Sequence, residues 1–487
     1  KIMIIEQRPL YNTLPVGQDI IFTISDKVIV ATKYKVKFIA QVYVANDSSN
    51  LFSLNSLVAT LKVTPNNAGV GIFSLQTILE SYVSPQYEGT NFDSVIFSSF
   101  KGTAYSNDNP HPIHLIDKYS NNRNNTKYFG IGFNIEYNDT AEFATPTTLA
   151  SDESSEVYLI YNGVLDYDAV LKQTGNNYGF NLDVPKLVLN DTYGELGKFL
   201  SNAPIIQDAR LTDYGTFSFL NFLNVSTNGF QVGTDTATIN MVNFIDIRLF
   251  NSSDVALGTI SVDSTVANGG YNNNNDFSQT RLMYFGVFPA NLDGWSTTWN
   301  THKANVSYYT IQVADDDDDV ISQLYRINII TDACKGYEAI RLTWLNTHGT
   351  WDYYTFTKKS VKSLQTNRTN YTQQSGTWNE SAYRINGYKG GKKNFRVNTK
   401  QLITVNTDFL LESDAVWFED LINSTDVYIL NGYNTTSLDT RSGITNKYVE
   451  PITVTTSSYT RKTKVNDKLI QYTFQLEKTH NKRTQSV

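Results

Sequence analysis

The chain has 487 residues, enough for roughly two to four domains with an ample buried core. Its single cysteine, Cys334, excludes an intrachain disulfide and a zinc site built from several thiolates. The net charge of −7 argues against nucleic-acid binding as a main role, because that role needs a basic surface that matches phosphates.

The aromatic content points to strands. The chain holds 31 Tyr and 26 Phe but only 3 Met, and this excess of aromatic over flexible aliphatic side chains favours strands over helices. We therefore predict a mainly β fold, with tandem antiparallel β-sandwich domains that are immunoglobulin-like or jelly-roll-like and a few short helices.

Residues 1–145 are predicted to form an N-terminal immunoglobulin-like sandwich. The run 34–44 has the two-residue period of a half-buried antiparallel strand. One face of this run holds Val36, Phe38, Ala40 and Val42, and the other holds Lys35, Lys37 and Gln41. One short helix is expected over residues 75–83. The opening apolar run is too short for a secretion signal, and no stretch reaches the roughly 18 apolar residues of a membrane span.

A second β-sandwich is predicted over residues 155–310. Residues 145–154 have the composition of a linker, which places the first boundary there. The runs 216–223 and 245–250 are strand-like and are separated by clusters of Gly, Asn and Ser.

Residues 321–487 are predicted to form a C-terminal β-rich domain. Two aromatic strands flank residues 346–349, which indicates a hairpin. A short helix is expected near 413–423, with Val416, Trp417 and Leu421 on one face and Ser413 as its cap. The chain closes with strands at 451–456 and 469–477, and we expect a terminal strand of this kind to add to a neighbour's sheet edge.

No catalytic, cofactor or metal site is predicted, because the nucleophile-elbow, phosphate-loop, metalloprotease and dinucleotide motifs are all missing from the sequence. His111 and His114, with Asp108, have the spacing of a weak metal site, but solvated loop histidines are the preferred interpretation. The run from Asp315 to Asp319 lacks the alternation and the glycine of a calcium loop, so a solvated acidic loop is preferred.

The remaining candidates also have a preferred structural interpretation. Sequence shows no cleft between the carboxylates Asp414, Glu419 and Asp420, so they are not assigned as glycosidase groups. Cys334, beside Lys335, is interpreted as a buried structural cysteine rather than a nucleophile.

Two basic islands stand out in an acidic chain, and a solvated loop and a solvated edge strand are the preferred interpretation of both. They comprise Lys389, Lys392 and Lys393, and the tail residues Arg461, Lys462, Lys464, Lys478, Lys482 and Arg483. Trp295, Trp299 and Trp378 lie in polar segments and are predicted to be exposed, either as a glycan-stacking platform or as anchors between subunits.

Four stretches resemble virion proteins of tailed bacteriophages of Bacteroidetes-type hosts, including crAss-like relatives. They are residues 7–22, 64–71 with 79–85, 334–359 and 458–474. The stretches span nearly the whole chain, but none is a motif with assigned residue roles. The resemblance implies a component of the tail, neck or baseplate that is repeated around a symmetry axis.

The sequence thus predicts a non-catalytic structural subunit of a phage virion, assembled in the bacterial host cytoplasm. Its expected partners are copies of itself, in a closed ring, and other virion structural proteins. The alternative is a receptor-binding or glycan-binding tail protein, with a host-surface glycan as partner. An enzyme such as a polysaccharide depolymerase is the least favoured hypothesis.

Overall fold

Strands joined by turns and a few short helices make up the computed structural model, so the predicted mainly β fold is confirmed. The structure describes residues 3–9, 12–85, 119–121, 124–142, 145–164, 171–174, 177–180, 196–221, 242–264, 281–315, 318–330, 337–377, 381–385, 387–430, 449–458, 460, 470–480 and 482–483. None of the described helices is long and apolar enough to span a membrane.

Contacts between Cα atoms divide the chain into two compact units. The described residues up to 330, together with 345–353, form the first unit. Residues 337–344, 354–430 and those from 449 onward form the second. The division into three domains, with boundaries at 145–155 and 310–321, stays a prediction.

The first unit contains nineteen described strands and four helices. The strands are β1 (Ile4–Gln7), β2 (Thr13–Pro15), β3 (Ile21–Ser25), β4 (Tyr34–Ala45), β5 (Leu57–Val63), β6 (Val70–Ser74), β7 (Tyr119–Asn121), β8 (Thr126–Asn138), β9 (Thr147–Ser154), β10 (Tyr158–Tyr161), β11 (Leu171–Thr174), β12 (Asn177–Phe180), β13 (Ile206–Ala209), β14 (Thr216–Leu220), β15 (Phe244–Phe250), β16 (Ala256–Asp263), β17 (Leu282–Gly286), β18 (Tyr308–Ala314) and β19 (Tyr325–Ile329). The helices are α1 (Lys27–Thr32), α2 (Gln76–Glu80), α3 (Pro289–Trp295) and α4 (Thr297–His302).

The N-terminal part of this unit is a two-layer sandwich. One layer is the sheet β1-β3-β6, and the other is β2-β10-β8-β4-β5, with β9 also paired to β8. Phe22 and Phe73 of the first layer pack against Phe133 of the second, with ring centroids 6.4 and 6.1 Å apart. The predicted buried face of β4 is confirmed, since its four apolar residues are all in the core. Helix α2 confirms the short helix expected there.

The prediction of a linker at residues 145–154 is wrong. Most of this segment is β9, whose backbone pairs with β8 in antiparallel register from Tyr137↔Thr147 to Gly132↔Ser154. A polar edge strand satisfies its backbone through the sheet while its described side chains stay exposed, so its composition resembles that of a linker. Strand β10, also beyond residue 145, pairs with β2 and β8 and completes the second layer.

The rest of the first unit contains a second pair of sheets, β13-β19-β18-β15-β16 and β14-β17-β7. Phe217 of β14 packs against Tyr325 of β19 at 5.4 Å. The Tyr119 hydroxyl of β7 donates to the Val262 carbonyl of β16 at 3.1 Å. Two facing sheets therefore share an aromatic core, which is the predicted sandwich character. Strands β11 and β12 form a separate hairpin.

The turn at residues 346–349 confirms the predicted hairpin and is held by one buried side chain. The Asn346 amide nitrogen donates to the Leu200 carbonyl at 2.9 Å and to the Asp352 carboxylate at 3.1 Å. Its oxygen accepts from the backbone nitrogens of His348 and Thr350, at 3.0 and 3.1 Å. A single amide thus uses both donors and its acceptor inside the first unit.

The second unit is built on one sheet with strands of unequal length, although Leu345 at the end of β20 and the first three residues of β21 are grouped with the first unit. Its strands are β20 (Ile340–Leu345), β21 (Trp351–Phe356), β22 (Val361–Gln373), β23 (Gly391–Asn406), β24 (Val427–Leu430), β25 (Val449–Val454), β26 (Thr473–Lys478) and β27 (Lys482–Arg483), and its helix is α5 (Ala415–Asn423). The strand order is β21-β20-β24-β25-β26-β23-β22, with β27 on β23.

Helix α5 confirms the predicted helix and covers one face of this sheet. Phe418 stacks on Phe474 of β26 at 5.6 Å, and Trp417 packs on Trp344 of β20 at 5.6 Å. Ser413 is not its cap, because the Asp414 carboxylate accepts from the Leu411 backbone nitrogen at the start of the helical segment, at 3.1 Å. Ser413 instead lies inside the 3-10 turn Glu412–Asp414 that precedes the helix, and its hydroxyl donates to the Asp414 carboxylate at 3.2 Å.

Candidate interaction surface

The longest hairpin of the second unit extends past its sheet. Strands β22 and β23 pair through thirteen register positions, from Val361↔Thr404 to Gln373↔Gly391. Strand β26 pairs with β23 only over Leu402–Asn406, and β27 only at Asn398 and Thr399. From residue 391 to 397, β22 is therefore the sole described partner of β23. We call residues 361–400 the ribbon.

The ribbon is exposed along nearly its whole length. The first ten residues of β22 are all exposed, and none of the described residues in 361–400 is buried except Gly376 and Thr377. The local sequence explains this, because Lys, Ser, Gln, Thr, Asn and Arg occupy both faces of the two strands and leave no apolar side to bury. A two-stranded hairpin without a packed face is at best marginally stable in water, so a partner that covers the ribbon would stabilise it.

A β-bulge sets which cations share a face of the ribbon. Thr369 pairs with Arg396 and Asn370 with Asn394, so Phe395 is the extra residue. Residues three apart on a regular strand point to opposite faces, but the bulge brings Lys393 and Arg396 to the same face, where Lys400 also lies. Arg368 and Lys392 are on the opposite face by the same register. Both faces therefore present positive charge.

Most ribbon cations lack an acidic partner. Lys362 pairs with Glu338 at 2.5 Å and Lys400 with Glu477 at 2.9 Å. The other six pair with no carboxylate in the part of the chain that the structure describes: Arg368, Arg384, Lys389, Lys392, Lys393 and Arg396. Arg396 and Lys393 donate to neutral oxygens, the Asn398 amide and the Tyr388 carbonyl, at 2.9 and 3.1 Å.

The tip of the ribbon has local structure of its own. The buried hydroxyl of Thr377 donates to the Ala382 carbonyl at 3.1 Å and accepts from the Arg384 backbone nitrogen at 2.9 Å. Gly376 has φ +96°, and a Cβ there would collide with the Tyr383 ring, so only glycine fits.

The described part of the tip and the bulge present large apolar side chains beside the cations. Ile385 is 77% exposed and Tyr388 74% exposed, and about half of Tyr383 and of Phe395 is exposed. Exposed aromatic side chains next to arginine are typical of protein interfaces, in which Tyr, Phe and Arg are enriched.

The sequence-based interpretation of this region was only partly right. It treated Lys389, Lys392 and Lys393 as an isolated solvated loop, although they belong to a paired ribbon with five further cations. The available signal was the charge count, because residues 361–400 hold eight Lys or Arg and a single acid, Glu380. The tail cations Arg461, Lys462 and Lys464 lie outside the described residues.

The edge strand was expected in the wrong place. Strand β26, which covers most of residues 469–477, lies between β25 and β23 and has both edges occupied. It cannot add to a neighbour's sheet. Among the described strands, the outer edges of this sheet belong to β21 and β22, and β22 is the longer of the two.

The three tryptophans that were predicted to be exposed have different outcomes. Trp299 is 1% exposed and packs edge-on against Tyr309 at 5.6 Å, so its predicted exposure is wrong. The reason is that α4 lies on the second sheet pair and turns this side chain inward. Trp295 is partly buried, and Trp378 lies outside the described residues.

The acidic loop after β18 is partly described. The buried Asp315 accepts from the Asp319 backbone nitrogen at 3.0 Å, so it closes the loop on itself. Asp318 and Asp319 are exposed. Within the described residues, no group of three His, Cys, Asp or Glu side chains could hold a metal ion. His111, His114 and Cys334 lie outside them.

The carboxylates near α5 have structural surroundings. Asp414 is buried and accepts from the Leu411 nitrogen and the Ser413 hydroxyl. Asp420 is buried and Glu419 half-buried on the same helix. The arrangement of Asp414 matches a helix-start residue, and we assign no chemistry to the three.

No protein-family model matches the chain, and neither does any curated protein. A comparison with solved structures gives the native conformation of alpha-2-macroglobulin from E. coli, with 8% identity and a TM-score of 0.17. The match covers 83% of this chain, which spans 22% of that one. This TM-score is too low for a shared overall fold.

Proposed function

We propose that this protein is a non-catalytic structural subunit of a tailed-phage virion, in the tail, neck or baseplate, and that the ribbon is its assembly arm. The observation that carries the proposal is the ribbon itself, a paired extension with cations on both faces and exposed aromatic groups at its tip. A surface of this composition fits a binding partner better than it fits water.

The resemblance of residues 7–22, 64–71, 79–85, 334–359 and 458–474 to phage virion proteins supports the particle as the setting. The sandwiches of the first unit support it too, since their aromatic cores are those of stable β domains, which a structural subunit needs. An arm that engages a different surface on its neighbour makes a heterologous contact, and such contacts close into rings when the rotation is right.

The test is the oligomeric state of the purified protein, by mass photometry followed by cryo-electron microscopy of any assembly. The proposal expects a closed assembly, or a fixed copy number within a virion, with the ribbon at subunit contacts. A protein that stays monomeric at high concentration, and also fails to bind other virion proteins, contradicts it.

A glycan-binding or receptor-binding role is the second candidate. The exposed Tyr383 and Tyr388 favour it, since tyrosine rings stack on sugars. A glycan array with the wild-type protein and a Tyr383→Ala/Tyr388→Ala variant tests it. Binding that depends on both rings supports this role, and silence across host polysaccharides rejects it.

A further inference from the structure

Charge is divided unequally along this chain. The ribbon has eight basic residues and one acidic residue, a net charge of +7, whereas residues 1–331 have 19 basic and 33 acidic residues, a net charge of −14. Resting on the assembly role proposed above, we propose that the ribbon binds exposed carboxylates of residues 1–331, here called the acidic surface, on a second copy of this chain.

Both sides of this contact offer unpaired charge. The ribbon supplies its six cations without a described acidic partner. Six exposed carboxylates in the described part of residues 1–331 likewise have no cation beside them there: Glu80, Glu142, Asp208, Asp254, Asp318 and Asp319. Charges that are not already paired lose less on binding and steer the approach of the partner.

The charge distribution also sets the symmetry of the contact. Two ribbons facing each other would place like charges together, which disfavours a two-fold contact between them. A contact between the ribbon and residues 1–331 is heterologous, so each copy uses one surface to bind and offers the other. Repetition of such a contact gives a ring or a filament.

A second copy fits better than nucleic acid. A chain of net charge −7 with −14 on residues 1–331 repels phosphates over most of its length. The same acidic residues attract the ribbon of another copy. Nucleic acid is therefore one of the alternatives that the experiment must separate.

The first experiment uses a charge-reversed ribbon, Lys392→Glu/Lys393→Glu/Arg396→Glu. These side chains have no carboxylate partner among the described residues, so the fold should survive, as near-ultraviolet circular dichroism can check. The matched control, Lys392→Arg/Lys393→Arg/Arg396→Lys, keeps the charge. Sedimentation velocity then measures self-association of all three proteins.

We expect the wild-type association constant to fall at least about tenfold between about 50 and 500 mM NaCl, because salt screens exposed charges. The reversed variant should associate at least about tenfold more weakly than wild type at low salt, and the control should match wild type. If wild type associates and the reversed variant does so equally well, this inference is wrong while the assembly role stands.

A mixing experiment tests the heterologous geometry. The reversed variant keeps its acidic surface, so it should accept a wild-type ribbon and, in excess, cap wild-type assemblies and reduce their mass. No mixed complex would overturn the inference. So would ribbon-dependent binding of a single-stranded DNA of about 30 nucleotides by a wild-type protein that does not bind itself. Absence of any self-association also overturns this inference, whereas the assembly role is contradicted only if the protein fails to bind other virion proteins as well.

Discussion

Two long antiparallel pairs in this molecule have similar lengths and opposite surroundings. Strands β4 and β8, of 12 and 13 residues, lie in the middle of their sheet, and one face is covered by the layer β1-β3-β6. Strands β22 and β23, of 13 and 16 residues, leave both faces and one edge exposed over most of the ribbon. The first pair stabilises the fold, whereas the second pair offers a surface.

The difference comes from side chains rather than from pairing. On β4 and β8, apolar residues recur at every second position and meet the facing layer. On the ribbon, amides, hydroxyls and cations fill both faces, so backbone pairing continues without any core. A long unpaired strand edge can pair with other chains and cause aggregation. Positively charged side chains on the edge restrict which chains can pair with it.

The largest contrast should come from two Phe→Ala changes, one on each pair. Phe133→Ala, on β8, removes a 1% exposed ring that packs on Phe22 and Phe73 and should lower the free energy of unfolding by about 3–5 kcal/mol. Phe395→Ala, in the ribbon, should change it by less than about 0.5 kcal/mol. Chemical denaturation followed by circular dichroism measures both free energies of unfolding. Equal losses in the two variants would contradict the proposed difference between the two strand pairs.

A buried asparagine in a turn and an exposed asparagine in the ribbon give a second comparison of stability. Asn346→Ala removes the buried amide that holds the turn after β20, and the donors and acceptors left without partners should cost about 2–3 kcal/mol. The matched change Asn367→Ala, on exposed β22, should cost less than about 0.5 kcal/mol. Denaturation curves of the two variants decide this, and a harmless Asn346→Ala would show that the turn is not held as described.

The buried His348 should make the stability of the fold depend on pH. Burial, helped by the nearby positive charge of Lys198, lowers the pKa of this imidazole to about 4. The unfolded chain, with an ordinary pKa near 6.5, binds the proton more readily. Stability should therefore be full above pH 6.5 and should fall between pH 6.5 and 4, by up to about 1.4 kcal/mol per pH unit.

The check for His348 is the pH dependence of thermal unfolding. His348→Gln should flatten the slope between pH 6.5 and 4, while His480→Gln, at an exposed position, should leave it unchanged. A slope that survives in His348→Gln would mean that other groups cause it.

The smallest loss from breaking a described interaction is expected at a surface ion pair between β5 and β8, in the sheet that contains β4. Lys62 on β5 holds the pKa of the Glu136 carboxyl below its usual range, at an oxygen–nitrogen distance of 2.5 Å. Because water screens such pairs, Glu136→Gln should cost only about 0.2–1 kcal/mol and less at high salt. Denaturation at two salt concentrations measures it, and a loss comparable to that of Phe133→Ala would refute the ranking.

Local patterns in the sequence were enough to predict several structural elements. The alternation from Val36 to Val42 predicted the buried face of β4, and the aromatic strands around residues 346–349 predicted a hairpin. Val416, Trp417 and Leu421 predicted α5, although Val416 is exposed and only the other two are buried. Each of these depends on residues close in sequence, where periodicity is informative.

What the sequence did not reveal depends on distant partners or on missing periodicity. Strand β10 joins β2 across more than 140 residues, and nothing local in either segment indicates that pairing. The ribbon has no apolar period, so its strands were not recognised and its cations were seen only as an island. Lys393 and Arg396 share a face of the ribbon only because of the bulge at Phe395, and no feature of the sequence indicates that bulge.

The central claim is that the ribbon is the assembly arm, and hydrogen–deuterium exchange of the protein at low and high concentration tests it most directly. Ribbon amides from 361 to 400 should exchange more slowly once the protein assembles, while amides of β4 and β8 should stay unchanged. Assembly without any added protection in the ribbon would contradict the account.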